Sequence, residues 1–139
     1  MKKNLFIVAI IALAFFTGCV SRDSRILETS ESQLKLRSIQ TRSFETNDKR
    51  MVTRIVVATL QDLNFVIDDA DADLGTVSAT KLSRYQVKIT VQVRPKGENH
   101  ITVRANARYN LQPIEDPQIY QDFFAALEKS LFLSANSVE

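Results

Sequence analysis

Tyr85-Gln86-Val87-Lys88-Ile89-Thr90-Val91-Gln92-Val93-Arg94 and Ile101-Thr102-Val103-Arg104-Ala105-Asn106-Ala107-Arg108-Tyr109-Asn110, separated by Pro95-Lys96-Gly97-Glu98-Asn99, decide the fold. In each run small or apolar residues alternate strictly with polar ones, and a period of two puts the two sets on opposite faces of a strand. The intervening Pro, Gly and Asn are turn formers. An antiparallel hairpin follows, with one face to bury and one to wet. The wet set contains Lys88, Arg94, Arg104 and Arg108, interleaved with Gln86, Thr90, Gln92, Thr102 and Asn106, and contains no carboxylate. Such a face suits an acidic partner surface or an anionic envelope polymer, and it is equally the solvent side of an antiparallel sheet. These four cations are the candidate partner-binding residues.

Working outward, Phe65-Val66-Ile67 reads as a short strand and Asp68 to Leu74 as a carboxylate-rich turn, after which Gly75 opens a strand running through Val77 and Ala79 to about Lys81. Upstream, Val52, Ile55, Val56, Thr59, Leu60 and Leu63 recur at the helical spacing of three and four, with Thr46 or Asn47 placed to cap the start. Leu34 to Phe44 is weakly two-periodic and predicts an edge strand. Downstream, Pro113 and Pro117 interrupt the strands and Asp116 precedes a second apolar stripe of Ile119, Tyr120, Phe123, Phe124, Leu127 and Leu131. The pattern predicts an α+β domain over residues 34–139: an antiparallel sheet of about four to five strands, two amphipathic helices on one face, in the order β-α-β-β-β-β-α.

The first residues give an address. Lys2 and Lys3 precede an uncharged run from Leu5 to Phe16, too short to span a bilayer as a helix and suited to a secretion signal over residues 1–18. Phe16-Thr17-Gly18-Cys19 resembles the lipobox of bacterial lipoproteins, with Phe16 where Leu is usual. The resemblance implies cleavage before Cys19 and attachment of diacylglycerol and a further acyl chain such as palmitate to that residue. Acyl chains at about 0.8 kcal/mol per buried CH₂ hold a protein on a membrane without a spanning helix. Val20, where Asp commonly causes retention at the inner membrane in that family, implies an outer-membrane protein facing the periplasm. Residues 19–33 then form the lipidated cysteine and a polar tether.

Removing Lys2 and Lys3 also removes the apparent basicity, since the chain's 18 Lys and Arg fall to 16, level with its 16 Asp and Glu. Nothing in net charge therefore points to a nucleic acid or to an anionic membrane surface, and no nucleic-acid partner is expected. Cys19 is the one cysteine, so no intramolecular disulfide forms and stability rests on packing.

The run Leu60-Gln61-Asp62-Leu63-Asn64-Phe65-Val66-Ile67-Asp68, followed by Asp73-Leu74-Gly75-Thr76-Val77, resembles the helix-to-strand passage in the small domains of BamC-type outer-membrane lipoproteins. Asn64 stands where those domains carry Gly, and both residues adopt the left-handed conformation that ends a helix. The resemblance implies a single small domain of that fold. It does not imply membership of the β-barrel assembly machine.

Candidate chemistry is sparse. Asp68, Asp69, Asp71 and Asp73 could supply oxygens to Ca²⁺, but read as an EF-hand from Asp69 the sixth position is Leu74 and the twelfth Thr80, so a solvated turn is the better reading. His100 is the one histidine and lacks any nucleophile-elbow sequence to serve. Three glycines leave no phosphate-cradling loop. The expectation is a lipid-anchored, non-enzymatic accessory or scaffold component of an envelope complex, without cofactor or metal. The alternative is a binding module for a lipid or small hydrophobe, with a pocket lined by Phe123, Phe124, Ile89 and Val103.

Overall fold

The protein is represented by a computed structural model that describes residues 32–82 and 86–136. Residues 35–139 form one compact unit. The described elements are helix α1 (residues 32–39), β1 (Thr41–Phe44), α2 (Lys49–Asp62), β2 (Val66–Asp71), β3 (Thr76–Leu82), β4 (Gln86–Pro95), β5 (Ile101–Tyr109), β6 (Gln112–Pro113) and α3 (Pro117–Asn136). The α+β expectation holds. The sheet is antiparallel throughout, in the order β1-β5-β4-β3-β2, with the two-residue β6 also paired to β5.

The alternating runs pair without interruption from Val87 opposite Tyr109 to Pro95 opposite Ile101. Their inward residues Ile89, Val91, Val93, Ile101, Val103, Ala105 and Ala107 are buried, together with Val77 and Ala79 of β3. Over them lie Val52, Val56 and Leu60 of α2 and Tyr120, Phe123, Phe124 and Leu127 of α3. The rings of Phe123 and Phe124 meet edge to face at 5.1 Å. Full burial of such side chains contributes about 2 kcal/mol each, and an edge-to-face pair about 1 kcal/mol more.

Helix α2 begins at Asp48, whose Oδ1 accepts from the Met51 backbone N–H at 2.8 Å, one residue beyond the expected caps. It ends as the sequence predicts: Asn64 adopts φ 63°, its N–H donates to the Gln61 carbonyl and the Phe65 N–H to that of Leu60, each at 2.9 Å. This double closure satisfies carbonyls that a helix end otherwise leaves open, and Phe65 beyond it packs against the core. Lys81 supplies a third closure by donating to the Leu63 carbonyl at 3.0 Å.

Two expectations need correction. Residues 34–44 are not one edge strand: 32–39 are helical, with Leu34 64% exposed, and only Thr41–Phe44 pair, with Ile101 to Arg104 of β5. The short alternation of Leu34 and Leu36 imitated a strand, whereas Leu36 and Ile39 lie three apart on one side of a helix. Likewise β2 continues through Asp71, so Asp68 and Asp69 are strand residues; the turn occupies only residues 72–75. The register shift between Ile67 and Asp69 is a bulge, which bends the strand and lets carboxylates sit on an edge.

A buried polar network joins Gln40, in the turn between α1 and β1, to Tyr120 of α3. The Tyr120 hydroxyl donates to the Ile114 carbonyl at 2.7 Å and accepts from Gln40 Nε2 at 3.1 Å and the Ala107 N–H at 3.2 Å. The Gln40 carbonyl in turn accepts from the Ala105 N–H at 2.9 Å. Beyond the reach of β1, the β5 edge is therefore satisfied by side chain and connecting backbone, as buried polar groups require.

Candidate partner-binding face

The face of the sheet away from the helices carries the predicted cations, and the cross-strand register sets their neighbours. Lys88 stands directly opposite Arg108, Gln92 opposite Arg104, and Arg94 opposite Thr102. Thr41 of β1 flanks Arg104 on its other side. Like charges directly opposite one another oppose sheet formation, so the Lys88–Arg108 juxtaposition is unfavourable on its own.

Asp68 relieves part of it. Its Oδ2 accepts from Thr80 Oγ1 at 2.7 Å and lies 3.4 Å from Lys88 Nζ. The Thr80 hydroxyl, followed by Lys88, holds the Asp68 carboxyl below its ordinary range, with partial desolvation acting the other way. The alternation of β4 and β5 gives this face no carboxylate; the longer β2 brings Asp68 to it, and Asp69 opposite Ser78 and Asp71 opposite Thr76. Arg94, Arg104 and Arg108 make no ion pair among the described residues.

The four cations divide among three surroundings. Arg94 and Arg104 border a shallow depression of about 530 Å³, together with Lys96, Pro95, Thr41, Gln92 and Thr102. Arg108 borders a second, of about 330 Å³, with Thr90, Asn106, Leu111 and Pro113. Lys88 is drawn toward Asp68. Lys96 and Thr41 escaped the sequence reading, the first because it lies in a turn and the second because nothing local announces that β1 pairs beside Arg104.

The acidic run disperses rather than converges. Asp71 Oδ1 accepts from the backbone N–H groups of Asp73 and Leu74, each at 2.8 Å, and so shapes the turn. Asp73 pairs with Arg50, and its carbonyl accepts from Lys49 Nζ, which ties the turn to the start of α2. Among the described residues no three His, Cys, Asp or Glu side chains are grouped to hold a metal ion. His100 is exposed beside Glu45, Thr46 and Asn47.

The expected apolar pocket exists in altered form. A cavity of about 240 Å³ lies between the α2–β2 connection, α3 and the sheet, lined by Leu63, Phe65, Val87, Ile89, Ile119 and Phe123 together with the polar Lys81 and Asp122. Ile89 and Phe123 line it as predicted. Phe124 and Val103 do not: they are 2% and 0% exposed within the packed core, and the Arg42 guanidinium lies 5.3 Å from the Phe124 ring centre.

Cys19, the signal at 1–18 and the tether as far as residue 31 lie outside the described residues. Among the described residues no helix is long and apolar enough to cross a membrane. No protein-family model matches the chain, and no curated protein matches it as a relative.

Proposed function

We propose that the chain is a lipid-anchored, non-enzymatic accessory protein of the bacterial envelope, held through Cys19 at the periplasmic side of the outer membrane, whose domain engages a protein partner through the outer face of its sheet. The observation that carries the contact is Leu111, 90% exposed at the tip of the β5–β6 turn, sharing a depression with an Arg108 that has no ion pair among the described residues. An exposed large apolar side chain beside an Arg, with Thr90 and Asn106 as polar surroundings, has the chemistry of an interface anchor. The anchor reading rests on the lipobox-like Phe16-Thr17-Gly18-Cys19.

A photocrosslinking residue placed at Thr90 or Asn106 in intact cells tests the contact. A recurrent protein adduct that disappears in Leu111→Asp and Arg108→Glu chains is expected; no recurrent adduct from either site overturns it. The anchor is tested by the mass of the mature chain from separated membranes. A triacylated amino terminus at Cys19 in the outer-membrane fraction, lost in Cys19→Ala, is expected, and an unmodified chain overturns it.

A second reading, a module for a small hydrophobe, is favoured by the apolar cavity bounded by Phe65, Ile119 and Phe123. Its volume takes a ring or a short alkyl segment rather than a whole lipid. Phe123→Trp would fill the cavity and abolish uptake of a fluorescent hydrophobe; uptake unchanged by that substitution removes this reading.

A further inference from the structure

The two depressions on the outer face differ in chemistry. The one around Arg108 has an exposed apolar anchor; the one around Arg94, Lys96 and Arg104 has none. Its remaining border is Thr41, Gln92, Thr102 and Pro95. Arg94 pairs with Thr102 and Arg104 with Gln92, so the two guanidiniums leave diagonal positions on adjacent strands, roughly 7–8 Å apart at their bases. Both arginines are exposed, and neither they nor Lys96 make an ion pair among the described residues. Among the described residues the carboxylates on this face all lie on β2, with β3 and β4 between it and β5: Asp68 is committed to Thr80 and Lys88, Asp71 to the turn amides of Asp73 and Leu74, and Asp69 stands opposite Ser78. Three positive charges thus gather around hydroxyl and amide groups, in a mature chain whose acidic and basic residues balance.

We infer that this depression binds a phosphate-bearing saccharide of the envelope, the guanidiniums of Arg94 and Arg104 taking the phosphate and Thr41, Gln92 and Thr102 the sugar hydroxyls. Two planar forks of N–H donors match phosphate oxygens, and a dianion offsets more of the local charge than a carboxylate does. Neutral hydroxyl and amide groups pair with a polyhydroxylated ring. An acidic protein segment would use the cations but leave this polar lining without work, and it would find no apolar anchor here. The saccharide site rests on the envelope address proposed above and not on the protein contact at Leu111.

The test uses the full-length chain in a non-ionic detergent, with glucose 1,6-bisphosphate, inorganic phosphate, glucose and octaglutamate as probes, read by backbone amide shifts. The bisphosphate should saturably shift the amides of Thr41, Arg94, Thr102 and Arg104, and bind about tenfold more tightly than inorganic phosphate. Glucose alone should shift none of them. Arg94→Gln with Arg104→Gln should weaken the bisphosphate at least about tenfold, whereas Arg108→Gln should leave it unchanged; a melting temperature no lower than that of the parent chain shows that each variant is folded. Octaglutamate binding as tightly at the same amides would overturn the saccharide reading in favour of an acidic protein. Bisphosphate shifts unaffected by the double substitution, or no shifts, would overturn the site itself, and loss of the Thr90 adduct would then bear only on the protein contact.

Discussion

The β4–β5 ladder and the β2–β3 ladder are built on opposite principles. The first is central, runs in unbroken register from Val87 to Pro95, and separates apolar from polar residues cleanly by face. The second ends the sheet, slips at Asp68, places Val66 66% exposed, and turns at a glycine pressed against its neighbour's backbone. A central pair buried on one face derives its order from the pleat itself. The edge pair derives it from particular contacts: Asp71 in the turn, Asp73 and its carbonyl against α2, and Asp68 against Thr80.

The sharpest way to break the comparison is to give each turn the same methyl group. At Gly75, with φ +72°, an added Cβ would fall deep inside contact distance of the Val93 carbonyl oxygen, and that backbone is fixed by the hydrogen bond its N–H donates to the Gly75 carbonyl at 2.7 Å. Gly75→Ala should cost about 3 kcal/mol or more, from left-handed strain and overpacking together. Gly97 has φ +70° but nothing within 4 Å, so Gly97→Ala should cost only about 1 kcal/mol. Urea denaturation of both variants checks the contrast, and equal losses would break it.

Next in size is the tie between β5 and α3. Tyr120→Phe removes one hydroxyl and leaves the Gln40 amide, the Ala107 N–H and the Ile114 carbonyl without that partner. A loss of about 2 kcal/mol is expected, with faster hydrogen exchange at the Ala107 amide. Asp71→Ala, which frees two turn amides beside solvent, should cost about 1 kcal/mol, with exchange quickening at Asp73 and Leu74 while the β4–β5 amides stay protected.

Arg108→Glu converts the like-charge pair with Lys88 into an opposite one and should raise stability by about 0.5 kcal/mol at low salt, the gain shrinking as salt is added. The smallest effect is electrostatic. Because the Asp68 carboxyl titrates below its ordinary range when folded, its contribution is present above that ordinary range and fades as pH falls through the lowered value. In an NMR titration, Thr80→Val should move the Asp68 midpoint upward more than Lys88→Gln does; the reverse ranking would transfer the main cause to the ammonium.

How much was legible follows the same division. The stripe from Val52 to Leu60, the inward residues of β4 and β5, and the aromatic face of α3 were readable because each is a repeated periodic signal, and repetition averages out single exceptions. The turn at Asn64 was readable because helix closure is local. The helix at 32–39 was missed because two leucines two apart satisfy a strand pattern for too short a span. β2 was cut short because Asp is rare in strands, and the neighbours that make it tolerable, Thr80 and Lys88, lie 12 and more positions away in sequence. β6 was missed because Pro113 argues against a strand, although at the rim of a sheet its missing N–H is harmless.

For the candidate site, the sequence alone determined that Lys88, Arg94, Arg104 and Arg108 share the wet face, because alternation assigns faces without any knowledge of register. Only the tertiary structure decided which cations stand together. Register and strand order brought Lys96 and Thr41 to Arg94 and Arg104, delivered Asp68 to Lys88, and left Arg108 beside Leu111. The physical reason is that facing is a property of one strand, whereas neighbourhood is a property of several, and pairing distant segments depends on packing energies that no short window contains.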